Sequence, residues 1–395
     1  MDPRTNPYAP GAGTPPPELA GRDETIEQAA VALDRIRAGR AAKSLILYGL
    51  RGVGKTVLLN RISRDAETRG IVTVNMEAPE GRSLPALLAP SIRAALIRLD
   101  RAEAIKAGAR QAWSALAGFV SALKVKFQDI EIGLNAAPVK GLADSGDLNN
   151  DLGDLLAAIG EAAAEQGTAI VLFVDELQYV REIQLAALIT ALHSASQKQL
   201  PVTLVGAGLP QLLGQTGRAK SYAERLFAFV SIDRLDKNAA TEALRVPAEK
   251  EGVVLEADAV AEILRQTERY PYFLQEWGKH SWNVAASSPI KFNDAVVANE
   301  RAIAELDAGF FRVRFDRLTP AEKRYMRAMA EMGPGPHRSG EIADLLGREV
   351  TGVAPIRSKL ISKGMVYSLS HGDTAFTVPL FDGFMRRTMP DWPSP

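Results

Sequence analysis

The sequence predicts an α/β protein: a mostly parallel sheet wrapped in helices around a phosphate-binding loop, then an all-helical unit, then a C-terminal unit of winged-helix layout. Three observations predict it. Apolar runs of strand length alternate with helical patterns between residues 44 and 235, as a sheet covered on both faces requires. A glycine loop interrupts the stretch SLILYGLRGVGKTVLL at 44–59, where a strand hands over to a helix. Residues 318–390 read helix, helix, helix, hairpin.

Residues 1–20 are rich in Pro and Gly and form an extended arm, either free or anchored through Tyr8 and the PPPELAGR junction. The nucleotide-binding core spans 21–236. Its first helix covers 23–38, with Ile26, Ala29, Ala30, Leu33 and Ile36 at helical spacing and Gly39 as the stop. LILY (45–48) is a buried strand, VLLNRISRDAE the helix after the loop, and IVTVNME (71–77) a second strand. Ser83 and Pro85 open a helical region to about residue 122. KVKFQDIEIGL (124–134) alternates like a β-hairpin. A helix runs from Asp151 through Ala164, AIVLFVDE (169–176) is a strand, and 183–197 a helix. PVTLVGAGL (201–209) and FAFVSIDRL (227–235) complete the sheet.

Residues 237–317 are all-helical, with Asn293 the expected cap of a long helix running through the Arg-rich stretch FFRVRFDRL. In 318–390, TPAE (319–322) is a capping box with Pro at the first helical position. SGEIADLLG and VAPIRSKLISKG are glycine-stopped helices, and MVYSL–SHGD–TAFTV is strand, turn, strand.

Composition narrows the function. Lys+Arg and Asp+Glu each number 47, so no global field points to nucleic acid or membrane, and any nucleic-acid site must be a local patch. Cysteine is absent, which excludes disulfides and thiolate metal sites and fits a reducing, cytoplasmic setting. The N-terminus lacks the basic start and apolar core of a secretory signal, and no apolar run approaches the roughly 20 residues of a membrane span. His193, His280 and His337 lack metal-ligand spacing.

The motif Gly49-Leu50-Arg51-Gly52-Val53-Gly54-Lys55-Thr56 matches G-x-x-x-x-G-K-[ST] at every position. Glycines let backbone N–H groups turn inward around phosphate oxygens, and the adjoining helix, which includes Val57, adds its positive dipole end. Lys55 is placed for the β/γ-phosphates of ATP, and Thr56 for Mg²⁺. IVLFVDELQ supplies the complement: Asp175 for the metal and Glu176 to polarise an attacking water.

With both motifs placed, the chain resembles AAA+ ATPases of the origin-recognition-like and archaeal-type group over nearly its whole length. The resemblance rests on PPPELAGRDE, GLRGVGKT, LFVDE, VTLVGAG, SYAERLF and a lid containing YPYFLQ before a winged helix. It implies an AAA+ core, a helical lid and a winged helix. Leu19, Ala20 and Arg22 would border the adenine, with Tyr8 a neighbour, and Pro271 would approach the nucleotide. Arg225, or Arg218 in its place, would be the arginine finger offered to a neighbouring copy in a homo-oligomer, and Arg269 would be the second sensor. The chain departs from the pattern after VTLV, where Gly206-Ala207-Gly208 replaces a polar first sensor.

On the last motif helix, Ile356, Leu360 and Ile361 face inward, which turns Arg357, Lys359 and Lys363 outward, with Arg348 in the preceding turn. These four form a modest basic patch for duplex DNA. The function expected is an Mg²⁺-dependent ATPase coupling hydrolysis to movement of lid and winged helix, acting on DNA or a DNA-associated protein complex. The alternative, similar to STAND-type NTPases, is a slow nucleotide switch with a protein partner.

Overall fold

The structure, a computed structural model, describes residues 1–11, 13–100, 107–124, 127, 137–368 and 372–392. Helix α1 (Asp23–Arg37) precedes β1 (Ser44–Tyr48), and the glycine loop joins β1 to α2 (Lys55–Thr68). After β2 (Val72–Glu77) the chain makes a helical excursion: α3 (Leu84–Asp100), α4 (Ala107–Lys124) and α5 (Leu148–Glu165). Then come β3 (Ile170–Asp175), α6 (Glu182–Gln197) and β4 (Val202–Gly208). Two short helices, α7 (Leu212–Ala219) and α8 (Ala223–Leu226), lead to β5 (Phe227–Ser231).

The five strands form one parallel sheet in the order β2-β3-β4-β1-β5. Period-2 alternation sends Leu45, Leu47, Val171, Phe173, Val205 and Ala207 to one buried layer. Ile46, Ile170, Leu172, Val174, Val202 and Leu204 go to the other, under the excursion helices. Both faces are dry, which is why these strands read as unbroken apolar runs. The carboxyl ends of β1 and β3 lie on one edge, where open α/β sheets leave a crevice for ligands.

The lid consists of α9 (Lys237–Lys250), α10 (Ala257–Thr267), α11 (Pro271–Val284) and α12 (Phe292–Leu306). A π-helical turn, Asp307–Phe311, and α13 (Arg312–Asp316) connect it to the winged helix. That unit contains α14 (Pro320–Glu331), β6 (His337–Arg338), α15 (Ser339–Leu345), α16 (Val350–Ser362), β7 (Val366–Tyr367) and β8 (Asp373–Phe376). Its three strands pair antiparallel in the order β6-β8-β7. The capping box forms as expected: Glu322 N donates to the Thr319 hydroxyl at 3.3 Å, and Thr319 N to the Glu322 carboxylate at 2.7 Å.

Several expectations need correction. The helical region expected from 83 to about 122 holds α3 and α4. The hairpin expected over 124–134 lies almost wholly outside the described residues, and Lys124 ends α4. The helix after 290 starts one residue before Asn293, because Asp294 reaches back to accept from Lys291 N at 2.9 Å. A terminal helix, α17 (Phe381–Thr388), was not foreseen; it packs Phe384 against Phe311 and Phe315.

The arm is anchored. The indole of Trp282 donates to the Asp2 carbonyl at 2.9 Å, and Asn6 donates to the Lys279 carbonyl at 3.0 Å. Tyr8 is buried, its ring against Gly278 and its hydroxyl donating to the Leu244 carbonyl. A β-carbon on Gly278 would come within 2.6 Å of that ring, so the lid helix has a groove cut for the arm. Among the described residues no helix is long and apolar enough to cross a membrane.

Candidate nucleotide-binding site

Two glycines shape the loop. Gly49 fits because a β-carbon there would stand 2.0 Å from the Ile232 carbonyl oxygen. Gly54 caps α2 at φ +88°, a left-handed conformation that costs glycine nothing. The loop borders a cavity of about 470 Å³, within the range of small-molecule sites.

Lys55, Thr56 and Glu176 all line the cavity. The Lys55 ammonium donates to the carbonyls of Gly49 at 3.0 Å and Leu50 at 2.7 Å. Burial lowers its pKa to about 8, although Glu176 and Asp175 pull the other way. The Thr56 hydroxyl donates to Asp175 at 2.6 Å, and the second Asp175 oxygen accepts from Glu176 N at 2.8 Å. Burial raises the Asp175 pKa, against those two hydrogen bonds. A hydroxyl and a carboxylate oxygen side by side suit a hard divalent cation.

Glu176 adopts a left-handed backbone conformation, φ 51°, which swings its side chain off the strand line. The carboxylate lies 3.6 Å from the Arg51 guanidinium and accepts from the Gln178 amide. Arg51 also donates to the Tyr179 hydroxyl at 2.8 Å. Its backbone N–H donates to the Thr377 carbonyl of the winged helix at 2.8 Å, so that unit sits directly on the loop.

Ala9, Pro10, Thr14, Leu19 and Ala20 of the arm also line the cavity, and a β-carbon on Gly13 of the arm would lie 3.4 Å from the Thr56 methyl. Arg22 braces the loop, donating to the carbonyls of Val53 at 3.2 Å and Asp233 at 2.6 Å. Burial lowers its pKa while Asp233 and Asp236 oppose. Pro271 lines the cavity, and the next residue, Tyr272, donates its N–H to the Gly52 carbonyl at 3.1 Å. Gly52, Val53, Gly54 and Val57 line it too, whereas Gly49 and Leu50 contribute the carbonyls that Lys55 engages.

Other expected residues lie elsewhere. Tyr8 is an anchor in the lid and does not line the cavity, nor does Arg269. Arg225 is exposed on α8, away from its own chain's cavity. Arg218 pairs with Glu182 at 3.2 Å. Arg357 and Lys363 do not form an outward patch. Arg357 donates to Thr374 at 2.8 Å, Ser368 at 2.7 Å and the Asp373 carbonyl at 2.8 Å. Lys363 donates to buried Glu322 at 2.7 Å and the Arg317 carbonyl at 3.0 Å. Only Arg348 and Lys359 of the four are exposed.

Two participants escaped the sequence. Gln178 occupies the end of β4: its carbonyl accepts from Leu209 N at 3.0 Å while its amide donates to Glu176. A β-carbon on Gly208 would come within 2.6 Å of that side chain, so the glycine at this strand end makes room for a polar group from beyond the neighbouring strand. The signal was the Gln two residues after DE. Arg314, from the connection after the lid, also lines the cavity; its signal was the Arg-rich run. A lid cluster of Glu276, His280 and Glu305 has metal-binding types, but the Lys279 ammonium bridges the two carboxylates at 3.2 and 2.6 Å.

The family described as an AAA ATPase domain matches residues 18–205. That segment, just under half of the chain, is thus similar to an AAA ATPase domain. The sheet carries on past the match to β5, and a domain of unknown function (DUF8462) matches residues 308–385, which take in α13 and most of the winged helix. A Walker-type ATPase of Pyrococcus abyssi shares the fold, at 15% identity and TM-score 0.59, over 94% of this chain and 97% of that one. Cdc6p of Pyrobaculum aerophilum aligns at 12% identity and TM-score 0.46, over 99% and 98%. The Orc1 protein of Aeropyrum pernix, solved in complex with DNA, aligns at 17% and 0.44, over 94% and 93%. Those last two scores carry no weight for the fold. No curated protein matches the chain significantly.

Proposed function

We propose that this protein binds ATP in the cavity between loop, arm and lid and hydrolyses it to ADP and phosphate. The observation that carries the reading is that Lys55, Thr56 and Glu176 line one nucleotide-sized cavity while Asp175 is hydrogen-bonded to both Thr56 and Glu176 N. Loop N–H groups and Lys55 hold the β- and γ-phosphates. Thr56 and Asp175 would hold Mg²⁺, which neutralises phosphate charge when bound. Glu176 accepts the proton of the attacking water once its carboxylate turns from Arg51. Arg225, exposed on α8, is the candidate to reach a neighbouring copy's site in a homo-oligomer.

One observation favours a second reading, a slow switch. Arg51 links the winged helix, through Thr377, to the base, through Glu176. In that state the carboxylate is engaged by a cation and an amide, and turnover waits for the winged helix to leave. The output at the winged helix is duplex DNA or a protein partner. With Arg357 and Lys363 committed internally, the DNA reading rests on Arg348 and Lys359.

Steady-state ATP turnover with and without duplex DNA, beside Glu176→Gln, tests the reading. We expect turnover that Glu176→Gln lowers about 100-fold or more while ATP still binds. Turnover per subunit that rises with protein concentration would support a shared site. Tight ATP binding with no turnover in either condition would overturn hydrolysis in favour of the switch. A Glu176→Gln chain that turns over normally would remove Glu176 from the chemistry.

A further inference from the structure

The Pro- and Gly-rich middle of the N-terminal arm takes no part in the chemistry proposed, yet it lines the nucleotide cavity. The lid holds both of its ends. On one side Tyr8, 4% exposed, sets its ring against Gly278 of α11 and its hydroxyl on the Leu244 carbonyl of α9. On the other side Glu18 pairs with Lys250 of α9 at 3.1 Å, and Ala20 is buried. A β-carbon on the next residue, Gly21, would come within 2.6 Å of Ala239 of α9. The chain between these anchors is bound differently. Among the described residues, none from 9 to 17 is buried and none makes a hydrogen bond. Four of them, Pro10, Pro15, Pro16 and Pro17, have no N–H to satisfy.

Hung from the lid at both ends, this stretch reaches across to the core. Ala9, Pro10, Gly11, Gly13, Thr14 and Pro16 line the cavity. Gly13 comes up to Thr56 in the first turn of α2, where a β-carbon would lie 3.4 Å from the Thr56 methyl. Its φ of +70° is a left-handed conformation that glycine adopts freely, and it lets the chain double back to the lid. The stretch therefore lies between lid and phosphate loop, across the space the nucleotide occupies. A segment with buried anchors, an unburied middle and no hydrogen bonds opens at far lower cost than the units it joins. Tyr8 itself does not line the cavity.

We propose that the arm between Tyr8 and Glu18 is a strap that gates nucleotide exchange, with Tyr8 in the Gly278 groove as its latch. The proposal rests on the ATP reading above and adds the control of entry and exit that reading lacks. Nucleotide passes when Tyr8 withdraws from the groove and the strap lifts off Thr56. While Tyr8 is seated, the strap retains whatever is bound. Because the latch lies outside the cavity, it sets the rates of exchange and leaves the contacts to bound nucleotide unchanged.

The test is exchange kinetics, not turnover. Association and release of a fluorescent ADP analogue, with Mg²⁺ and an unlabelled ADP chase, are followed by stopped flow on the full chain. Tyr8→Ala should raise both rates together, about tenfold or more each, and leave the dissociation constant within about threefold. The chain has no cysteine, so a paired variant, Tyr8→Cys with Gly278→Cys, locks the latch covalently. A β-carbon at 278 stands 2.8 Å from the Tyr8 Cγ position that a sulfur would take, close to disulfide geometry. Reduced, this variant should exchange as fast as Tyr8→Ala; oxidised, it should exchange at least about tenfold slower than wild type. Both forms have one sequence, so a folding loss common to both cannot produce the difference. Rates that ignore the loss of Tyr8, or an oxidised chain that exchanges like the reduced one, overturn the proposal. Faster release alone, with affinity falling in step, also overturns it, because that is a lost contact and not a gate. A wild-type chain that binds no nucleotide overturns the ATP reading itself.

Discussion

The cations around the cavity and those of the winged helix have the same charge and opposite fates. Lys55 and Arg314 stand in the cavity without a salt-bridge partner within 4 Å among the described residues, held by carbonyls and a ring. Arg357 and Lys363, which the sequence turns outward toward DNA, are consumed inside the winged helix. The difference lies in the partners. Arg357 is met by Thr374, Ser368 and the Asp373 carbonyl inside the winged helix and Lys363 by a buried carboxylate, whereas Lys55 and Arg314 line the cavity with only backbone carbonyls and a ring as partners. A basic residue therefore signals an anionic ligand only when the fold has not already supplied its acceptor.

The comparison breaks first at Lys55. If its charge is held for phosphate, Lys55→Ala should weaken ATP binding about 100-fold or more, roughly 3 kcal/mol, without loss of fold. Unchanged ATP affinity by calorimetry would sink the phosphate-loop assignment and, with it, the contrast.

The winged helix gives the opposite outcome. Lys363→Met leaves the Glu322 carboxylate, 2% exposed, without its cation. It should cost about 2–3 kcal/mol in denaturant unfolding, reduced from the fully buried case because Lys363 is partly exposed. The pH dependence sharpens this. Burial alone would raise the Glu322 pKa, but Lys363 and the Thr319 groups together lower it. A carboxylate with a lowered folded pKa adds stability above its unfolded value and loses it as pH falls through the folded one. Wild-type stability should therefore drop on acidification more than that of Lys363→Met, and the two unfolding curves should converge. A Lys363→Met protein as stable as wild type, yet unable to bind duplex DNA, would return this residue to the outward patch.

What was legible in the sequence was whatever depends on local pattern. The strand–loop–helix around Gly54 and Lys55, the DE pair at the end of β3 and the Thr319–Glu322 capping box all carry spacing that only one local geometry satisfies. What stayed hidden depends on contacts between distant segments. Nothing near Tyr8 says that Gly278, far along the chain, leaves a groove for its ring. The glycines at the end of β4 read as a missing polar group, when Gly208 makes room for Gln178 of another segment. Arg314 is one of several arginines in its run. Its placement depends on a π-helical turn, a register change of one residue that periodicity does not mark.

The smallest effects, and the closest discrimination, belong to Arg348 and Lys359. Both are exposed, and neither forms a salt bridge among the described residues. Either one changed to Ala should alter stability by less than about 0.5 kcal/mol. That makes them clean probes of DNA, which Arg357 and Lys363 are not, since substituting those disturbs the fold. If the winged helix grips duplex phosphates here, each variant should weaken DNA binding in a fluorescence titration and lower the salt dependence by about one phosphate contact. We expect at most this modest effect, because Glu349 adjoins Arg348 and leaves little net positive charge on the face. Binding that ignores both substitutions would make the winged helix a protein-contact surface, and the coupling through Arg51 would then act on a partner and not on DNA.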